Sequence, residues 1–253
     1  MKRRLVLAGV PVDVITAYDD YYPYFSPYLE KNGGTTRDIP PCPINDRDIP
    51  SVRIPPQRLR KAASIYQPGD PEYYVEYMEL CPAVSSAITA FGRIVFHAVS
   101  FIWKDLAWLI TAPSGTGKST HTALWLKHFG NRAYMLNDDK PAIRLVGDRV
   151  YACGTPWSGK YDYSTPGMVP LAGICFLERA EENFIHPADT KKAVFNIFSQ
   201  TVRKLGPNAM ERLFDMLETI FAKVPLYELG CNISDDAVRT SYNAMKPKGQ
   251  SEK

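Results

Sequence analysis

The chain has 253 residues, of which 45% are hydrophobic and 23% charged, and its net charge is +3 at pH 7. This length allows one domain with an appendage or two small domains, and it can bury a sizeable core. So small a charge, from scattered basic residues, argues against a nucleic-acid-binding protein.

No apolar run approaches the length that spans a membrane. Pro11 ends the apolar start of the chain too early for a signal peptide. The five cysteines show no metal-binding spacing and fit reduced thiols. We therefore expect a soluble, cytoplasmic protein that binds neither membrane nor nucleic acid.

Residues 1–82 predict a small, irregular N-terminal region that contains β-structure, with strands at 4–10 and 12–16. The first 80 residues hold nine of the 15 tyrosines. These tyrosines have two interpretations. They could form a peptide-binding surface, since tyrosine favours interfaces, or they could fill a core that is short of aliphatic residues, which is the interpretation we favour.

Residues 83–245 are predicted to form a second domain. A predicted helix from 73 to about 90 leads into it. Its predicted strands are 93–103, 106–111, 133–136, 142–146, 150–153, 171–177 and 226–229. Two amphipathic helices precede the last strand, and a final helix follows the Ser234 cap. Their predicted apolar faces are Val194, Ile197, Phe198, Thr201 and Val202, and then Met210, Leu213, Phe214, Leu217 and Phe221. Residues 246–253 are polar, and we expect a disordered tail.

A glycine-rich loop at 112–120, Ala112-Pro-Ser-Gly-Thr-Gly-Lys-Ser-Thr120, follows an apolar strand and opens a helix. Glycines in such a loop let several backbone N–H groups point at one anion, and the helix N-terminus and Lys118 add positive charge. A hydroxyl after the lysine, on Ser119, suits a Mg²⁺ ion shared with the phosphates. A chance strand–turn–helix is the weaker alternative, so we predict a nucleotide-phosphate site of the P-loop (Walker A) type.

Two adjacent carboxylates, Asp138 and Asp139, follow the next predicted strand. One can face a metal ion while the other accepts a proton from an attacking hydroxyl. An ordinary Asp-rich turn is the alternative, and the loop about twenty residues upstream favours the catalytic interpretation. His97 lies 21 residues before Lys118, one hairpin away, so paired strands can return it to the phosphates.

The segment from Phe96 to Ser119, together with Leu136-Asn-Asp-Asp139, resembles the catalytic domain of HPr kinase/phosphorylase, over roughly residues 93–180. That family is itself similar to the nucleotide-binding core of phosphoenolpyruvate carboxykinase. The shorter HPr-kinase-like proteins of bacteria also share the Gly154-Thr-Pro-Trp-Ser-Gly159 turn. The resemblance implies an α/β fold, with a mixed β-sheet core and flanking helices beside the small N-terminal region. It also implies ATP or another nucleoside triphosphate with Mg²⁺, and it allows a homo-oligomer.

Residue by residue, the resemblance implies catalytic roles for Asp138, His97 and Lys118. Asp138 matches the general base, which His97 would orient or polarise, and Ser119 and Asp139 match metal ligands. The implied nucleotide-binding residues are Ser114, Gly115, Thr116, Gly117, Lys118, Ser119 and Thr120. The chain departs from the family at Tyr151-Ala-Cys-Gly154, where the family has a metal-binding Glu and an Arg. The resemblance therefore does not imply a second metal ion or a reverse reaction by phosphorolysis. It also does not assign HPr as the substrate.

Residues 154–161 form a second candidate segment. An exposed Trp157 with Ser158 and Lys160 would suit a mobile loop over the acceptor, with Lys160 reaching the transferred phosphoryl group. A structural β-turn with a core tryptophan fits equally well. His121 is expected to be a half-exposed helix residue.

We therefore expect a kinase that transfers the γ-phosphoryl group to a hydroxyl, with a serine of a protein or ribosomally made peptide favoured as the acceptor. A small-molecule hydroxyl is an alternative acceptor. A regulatory module that binds nucleotide without transferring phosphate is an alternative of another class. Carboxykinase chemistry through Arg144 and Arg149 is less favoured.

Overall fold

The structure is a computed structural model that describes residues 1–30, 40–67, 69–201, 205 and 207–246. Two sequence predictions, the place of Val202 on a helix face and the disordered tail from 247 onward, lie outside these residues.

Among its described residues, the N-terminal region contains a small sheet and three α-helices. Its elements are β1 (Lys2–Leu7), β2 (Val10–Ile15), α1 (Tyr22–Phe25), β3 (Ser51–Arg53), α2 (Pro56–Ala63) and α3 (Glu72–Thr89). Within the described residues, β2 lies between an antiparallel β1 and a parallel β3. The β1–β2 turn lies at Ala8 and Gly9, whose φ angles are 47° and 78°, because a tight hairpin needs left-handed backbone there. The sequence predicted that the first strand ends at residue 10, which is three residues after its end at Leu7.

The rest of the described chain forms a mixed sheet with helices packed against it, which confirms the predicted α/β class. Its elements are β4 (Arg93–Val95), β5 (Val99–Trp103), β6 (Leu106–Thr111), α4 (Lys118–Phe129), β7 (Ala133–Asn137), β8 (Ala142–Val146), β9 (Arg149–Cys153), β10 (Met168–Arg179), β11 (Phe184–Pro187), α5 (Thr190–Gln200), α6 (Pro207–Lys223), β12 (Leu226–Cys231) and α7 (Asp235–Met245). The strand order is β4-β8-β9-β10-β6-β5-β7, and β12 pairs with β10 and β11.

Strand direction gathers several loops at one edge of this sheet. β6, β10 and β12 run parallel to one another. β7 is antiparallel to β5, which is antiparallel to β6, so β7 also runs with β6. The carboxyl ends of all four strands therefore meet at one edge, which is where ligands bind in open α/β sheets.

The predicted strand 93–103 is wrong in one respect, because it is broken at Phe96–Ala98. The backbone N–H groups there bond outside the strand ladder: His97 donates to the carbonyl of Gln200 at 3.1 Å and Ala98 to that of Asp139 at 3.1 Å. β4 consequently pairs with β8, while β5 lies between β6 and β7. The break sets His97 against the residues that follow β7.

The N-terminal region shares its core with the larger sheet. One buried cluster joins residues of β1, β2 and α3 to Val95, Ala142, Cys153 and Trp157. The expected boundary between residues 82 and 83 falls inside α3. This shared packing fixes the N-terminal tyrosines relative to the edge that carries the loops.

The predicted apolar face of α6 is partly wrong. Phe214 is 49% exposed and stacks on Phe198 with ring centroids 5.8 Å apart, while Met216 and Ile220 take buried positions.

All five cysteines are free thiols. Among the described residues, no helix combines the length and apolarity needed to cross a membrane.

Candidate functional site

Residues 112–117, which we call the glycine loop, connect β6 to α4 at the edge where the strands end. Gly115 and Gly117 have φ angles of 76° and 127°, a conformation that side-chain-bearing residues rarely adopt. Arg179, at the end of β10, donates to the carbonyls of Gly115 at 2.6 Å and Thr116 at 3.1 Å. The loop is thus held from the neighbouring strand while Ser114 and Gly115 remain exposed.

Lys118 begins α4 and is 8% exposed. Its Nζ donates to the carbonyl of Ala112 at 2.8 Å and lies 3.4 Å from that of Pro113. Burial lowers the pKa of the ammonium, against the raising effect of Asp139. The cation therefore lies inside the glycine loop, held by groups that an anion can replace.

Asp138 lies immediately after β7 and is 6% exposed. Its Oδ1 accepts from the N–H of Gly159 at 2.6 Å and its Oδ2 from that of Tyr161 at 3.0 Å. Burial raises the pKa of Asp138, although these two hydrogen bonds oppose the shift. A Cβ on Gly159 would lie 3.3 Å from Oδ2 of Asp138 and 3.1 Å from Cβ of Asp139, so the glycine lets the 158–162 loop close onto the pair.

Asp139 is bound by two side chains on its other sides. His97 Nε2 lies 3.1 Å from its Oδ1, and Lys140 Nζ lies 2.8 Å from its Oδ2. Burial acts to raise the pKa of Asp139, but the His97 hydrogen bond and the Lys140 charge outweigh it and leave the pKa lowered. His97 Nδ1 lies 2.9 Å from Oε1 of Gln200, which fixes the ring. The imidazole thus pairs with Asp139, where a pairing with Asp138 was expected, because the broken strand places it beside Asp139.

His97 is also joined to β6, the strand that leads into the glycine loop. Thr111, the last residue of β6, donates its hydroxyl to the carbonyl of His97 at 3.0 Å. His97, the two aspartates and the start of the glycine loop therefore lie at the same edge of the sheet.

Two cavities lie against the carboxylate pair. The Ser119 cavity, of about 230 Å³, is lined by Val99, Ser119, Thr122, Ala123, Leu126, Met135, Asp138, Tyr161 and Tyr163. The tyrosine cavity, of about 420 Å³, is lined by Tyr21, Tyr24, Tyr73, Tyr74, Tyr77, Met78, Asp139, Ser158, Gly159, Lys160 and Asp162. Asp138 thus lines the same cavity as Ser119, the expected metal ligand, whereas Asp139 lines the tyrosine cavity. The resemblance instead implies that Asp138 is the base and Asp139 the metal ligand, and these roles stay predictions.

A third cavity, of about 430 Å³, lies on the opposite flank of the glycine loop. Its lining comprises Gly115, Thr116, Gly117, Thr120, His121, Leu124, Leu177, Arg179, Ala180, Cys231, Asn232 and Ile233. A ligand bound on the loop therefore has room to extend away from the carboxylate pair.

Oxygen donors suited to Mg²⁺ are present in the Ser119 cavity. Mg²⁺ prefers hard oxygen ligands and is held in phosphate sites by one or two protein groups together with phosphates and water. The hydroxyl of Ser119 and the carboxylate of Asp138 are such donors. Within the described ranges, no group of three or more His, Cys, Asp or Glu side chains is arranged to hold a metal ion. Ser119 and Asp138 are therefore the residues that would hold Mg²⁺, together with phosphate and water.

The sequence left the exposure of Trp157 open and predicted a half-exposed His121. Trp157 is buried, because its indole donates to the carbonyl of Tyr77 at 3.0 Å and its ring lies 6.1 Å from Phe25. The core-tryptophan interpretation is therefore correct for this residue, while Ser158 and Lys160 line the tyrosine cavity. His121 is also buried rather than half-exposed, since its Nε2 accepts from the indole of Trp125 at 3.2 Å.

Three site residues escaped the sequence-based prediction. Gln200 holds His97 from 103 residues away, and Lys140 neutralises Asp139. Arg179 holds the glycine loop from the end of β10. An arginine at the end of a strand is a weak signal that could have been followed, but nothing in the local sequence marks Gln200.

Comparisons with known proteins leave the family open. Neither the family models nor the curated proteins include a match to this chain. The structure is similar to the Hpr(Ser) kinase/phosphatase from Coxiella burnetii, with a TM-score of 0.35 and 10% sequence identity, over 60% of this chain and 92% of that chain. So distant a likeness assigns no function, and the function must be inferred from the residues of this chain.

Proposed function

We propose that the chain is a kinase that transfers the γ-phosphoryl group of Mg²⁺-bound ATP to a hydroxyl of a protein or peptide. The observation that carries this proposal is the position of the Asp138–Asp139 pair. It stands between a cavity that contains Ser119, beside the glycine loop, and a second cavity open to an acceptor. A carboxylate between donor and acceptor can orient the attacking hydroxyl and accept its proton.

On the donor side, the N–H groups of 114–120 and the Lys118 ammonium would bind the phosphates. Lys118 would exchange its bond to the Ala112 carbonyl for a phosphate oxygen. Ser119 and Asp138 would hold the Mg²⁺ ion, which neutralises phosphate charge when bound. The two backbone N–H bonds to Asp138 leave each of its oxygens a further lone pair for this purpose.

On the acceptor side, Asp139 would orient the attacking hydroxyl and accept its proton. The hydroxyl oxygen forms a bond to the γ-phosphorus as the bond to the bridging oxygen breaks, and ADP leaves with that electron pair. The imidazole of His97 contacts the carboxylate of Asp139 through Nε2, and the side chain of Gln200 contacts the same ring at Nδ1. We assign these roles from geometry, because a proton acceptor must first lie within reach of the acceptor.

The test is incubation of the purified chain with Mg·ATP and a pool of serine- and threonine-containing peptides, followed by mass spectrometry. Phosphopeptides that disappear when Mg²⁺ is omitted would support the proposal. A parallel pool of small alcohols and sugars tests the alternative acceptor class. ATP binding by calorimetry with no product in either pool would contradict a kinase and leave a regulatory nucleotide-binding module.

A further inference from the structure

The tyrosine cavity is built from parts of the chain that are far apart in sequence. α1 and the residue before it supply Tyr24 and Tyr21, α3 supplies three more tyrosines, and the 158–162 loop closes the remaining side. Asp139 lies on its wall. The N-terminal region therefore contributes most of a cavity that reaches the carboxylate pair.

Two of the five tyrosines that line this cavity have hydroxyl groups bonded to other parts of the protein. The hydroxyl of Tyr21 donates to Glu76 at 2.6 Å, and that of Tyr77 donates to the carbonyl of Pro156 at 2.7 Å. Both residues are buried, and Tyr24 packs on Tyr77 with ring centroids 5.3 Å apart. This aromatic part of the wall favours an apolar or aromatic side chain, while Asp139, Ser158, Lys160 and Asp162 supply the polar part of the lining.

The outer part of the cavity is open and aromatic. Tyr24 and Tyr74 are each 38% exposed, so their rings can cover an incoming side chain. Lys160 is exposed, and Asp162 accepts from the hydroxyl of Ser158 at 2.5 Å, so polar groups stand at the rim. At about 420 Å³ the cavity has room for more than the side chain of one serine, which leaves space for a neighbouring residue.

We propose that the tyrosine cavity binds a peptide in which the hydroxyl-bearing residue stands next to an aromatic or large aliphatic residue. The hydroxyl would lie at Asp139, and the neighbouring apolar side chain would lie against the exposed rings of Tyr24 and Tyr74. The polar rim would meet the peptide backbone. This inference rests on the proposed kinase function and adds the part of the acceptor that the enzyme selects.

The test uses the full chain and two matched sets of serine peptides. One set carries Phe, Tyr or Leu beside the serine, and the other carries Gly or Asp there. Binding is measured by fluorescence polarisation of labelled peptides, and transfer by mass spectrometry with Mg·ATP. The Tyr24→Ala/Tyr74→Ala variant is compared with Tyr134→Ala, which removes a tyrosine 51% exposed on β7, outside the lining of the cavity.

We expect the wild-type chain to prefer the apolar-flanked peptides by at least about tenfold in both measurements, since burying one large side chain is worth that much. The double variant should lose this preference while keeping its ATP affinity, and Tyr134→Ala should keep both. Equal binding of the two sets by the wild-type chain, or an unchanged preference in the double variant, would overturn the inference.

The two measurements separate this inference from the function beneath it. Selective peptide binding without transfer would support the peptide site and contradict the kinase. Transfer with no preference for a neighbouring apolar residue would support the kinase and overturn the peptide site. If peptides neither bind nor react, both are overturned.

Discussion

The two sides of the carboxylate pair are built in different ways. On the Ser119 side, the glycine loop and α4 form one continuous stretch of chain, and α4 supplies four of the nine residues that line the Ser119 cavity. The tyrosine side is gathered from α1, α3, the residues after β7 and the 158–162 loop. A local stretch can carry a general task such as holding phosphate, whereas selection of an acceptor depends on the way distant segments pack. Substitutions on the two sides should therefore have different effects.

The substitution Asp139→Asn, on the tyrosine side, should have the largest effect on turnover. An amide cannot accept the hydroxyl proton, so turnover should fall by about 10²–10⁴-fold, while ATP affinity stays close to that of the wild type. Single-turnover transfer and calorimetry measure the two quantities. Asp148→Asn, which removes a carboxylate 92% exposed near α6, is the control and should change neither. Normal turnover in Asp139→Asn would remove this residue as the proton acceptor.

A smaller loss, confined to nucleotide binding, is expected from Lys118→Ala. A charged hydrogen bond to phosphate is worth about 1.5–3 kcal/mol, so the Kd for Mg·ATP should rise by roughly tenfold to a hundredfold. Calorimetry gives this value directly. Lys127→Ala, on the exposed face of the same helix, serves as the control. An unaltered Kd in Lys118→Ala would contradict the assignment of the glycine loop to phosphate.

The contact between the two sides can be loosened with Gly159→Ala. The added Cβ would crowd both aspartates at 3.1–3.3 Å, so a shift of a few tenths of an ångström should lower turnover about tenfold. Gly167→Ala is the matched control, because the nearest atom to its Cβ would lie at an ordinary 3.9 Å. Equal turnover in the two variants would show that the 158–162 loop tolerates the methyl group and does not fix the pair.

The smallest effect on activity, but a clear one on stability, concerns His121 beneath the glycine loop. Burial lowers its pKa to about 4 from 6.5, so the unfolded chain binds the proton more readily. The contribution of this residue to stability is complete above pH 6.5 and is lost as pH falls toward 4, by up to about 3 kcal/mol. Chemical denaturation at several pH values should show a shallower pH dependence in His121→Gln than in the exposed control His186→Gln. Identical slopes would contradict the buried, neutral imidazole.

The sequence predicted the Ser119 side better than the tyrosine side, for a physical reason. The glycine loop is a local pattern whose backbone geometry follows from Gly115 and Gly117, and β6 and α4 fell where the hydrophobic spacing placed them. His121 was misplaced and the exposure of Trp157 was left open, because the burial of both is decided by partners such as Trp125 and Tyr77, which the local pattern does not reveal.

The same limit applies to the order of the two aspartates. The chain places Asp138 and Asp139 side by side, but their surroundings come from Gly159 and His97, which lie in other segments. The break at Phe96–Ala98 depends on carbonyl partners after β7 and at the end of α5. Periodicity therefore predicted a continuous strand there.

The proposed mechanism assigns Asp138 to the bound nucleotide and Asp139 to the acceptor. The most direct measurement is a calorimetric titration of Asp138→Asn and Asp139→Asn with Mg·ATP, after thermal melting has shown that both variants fold. We predict that the Asp138 variant binds Mg·ATP at least about tenfold more weakly and that the Asp139 variant binds it like the wild type. Weak binding in the Asp139 variant together with normal binding in the Asp138 variant would contradict this account.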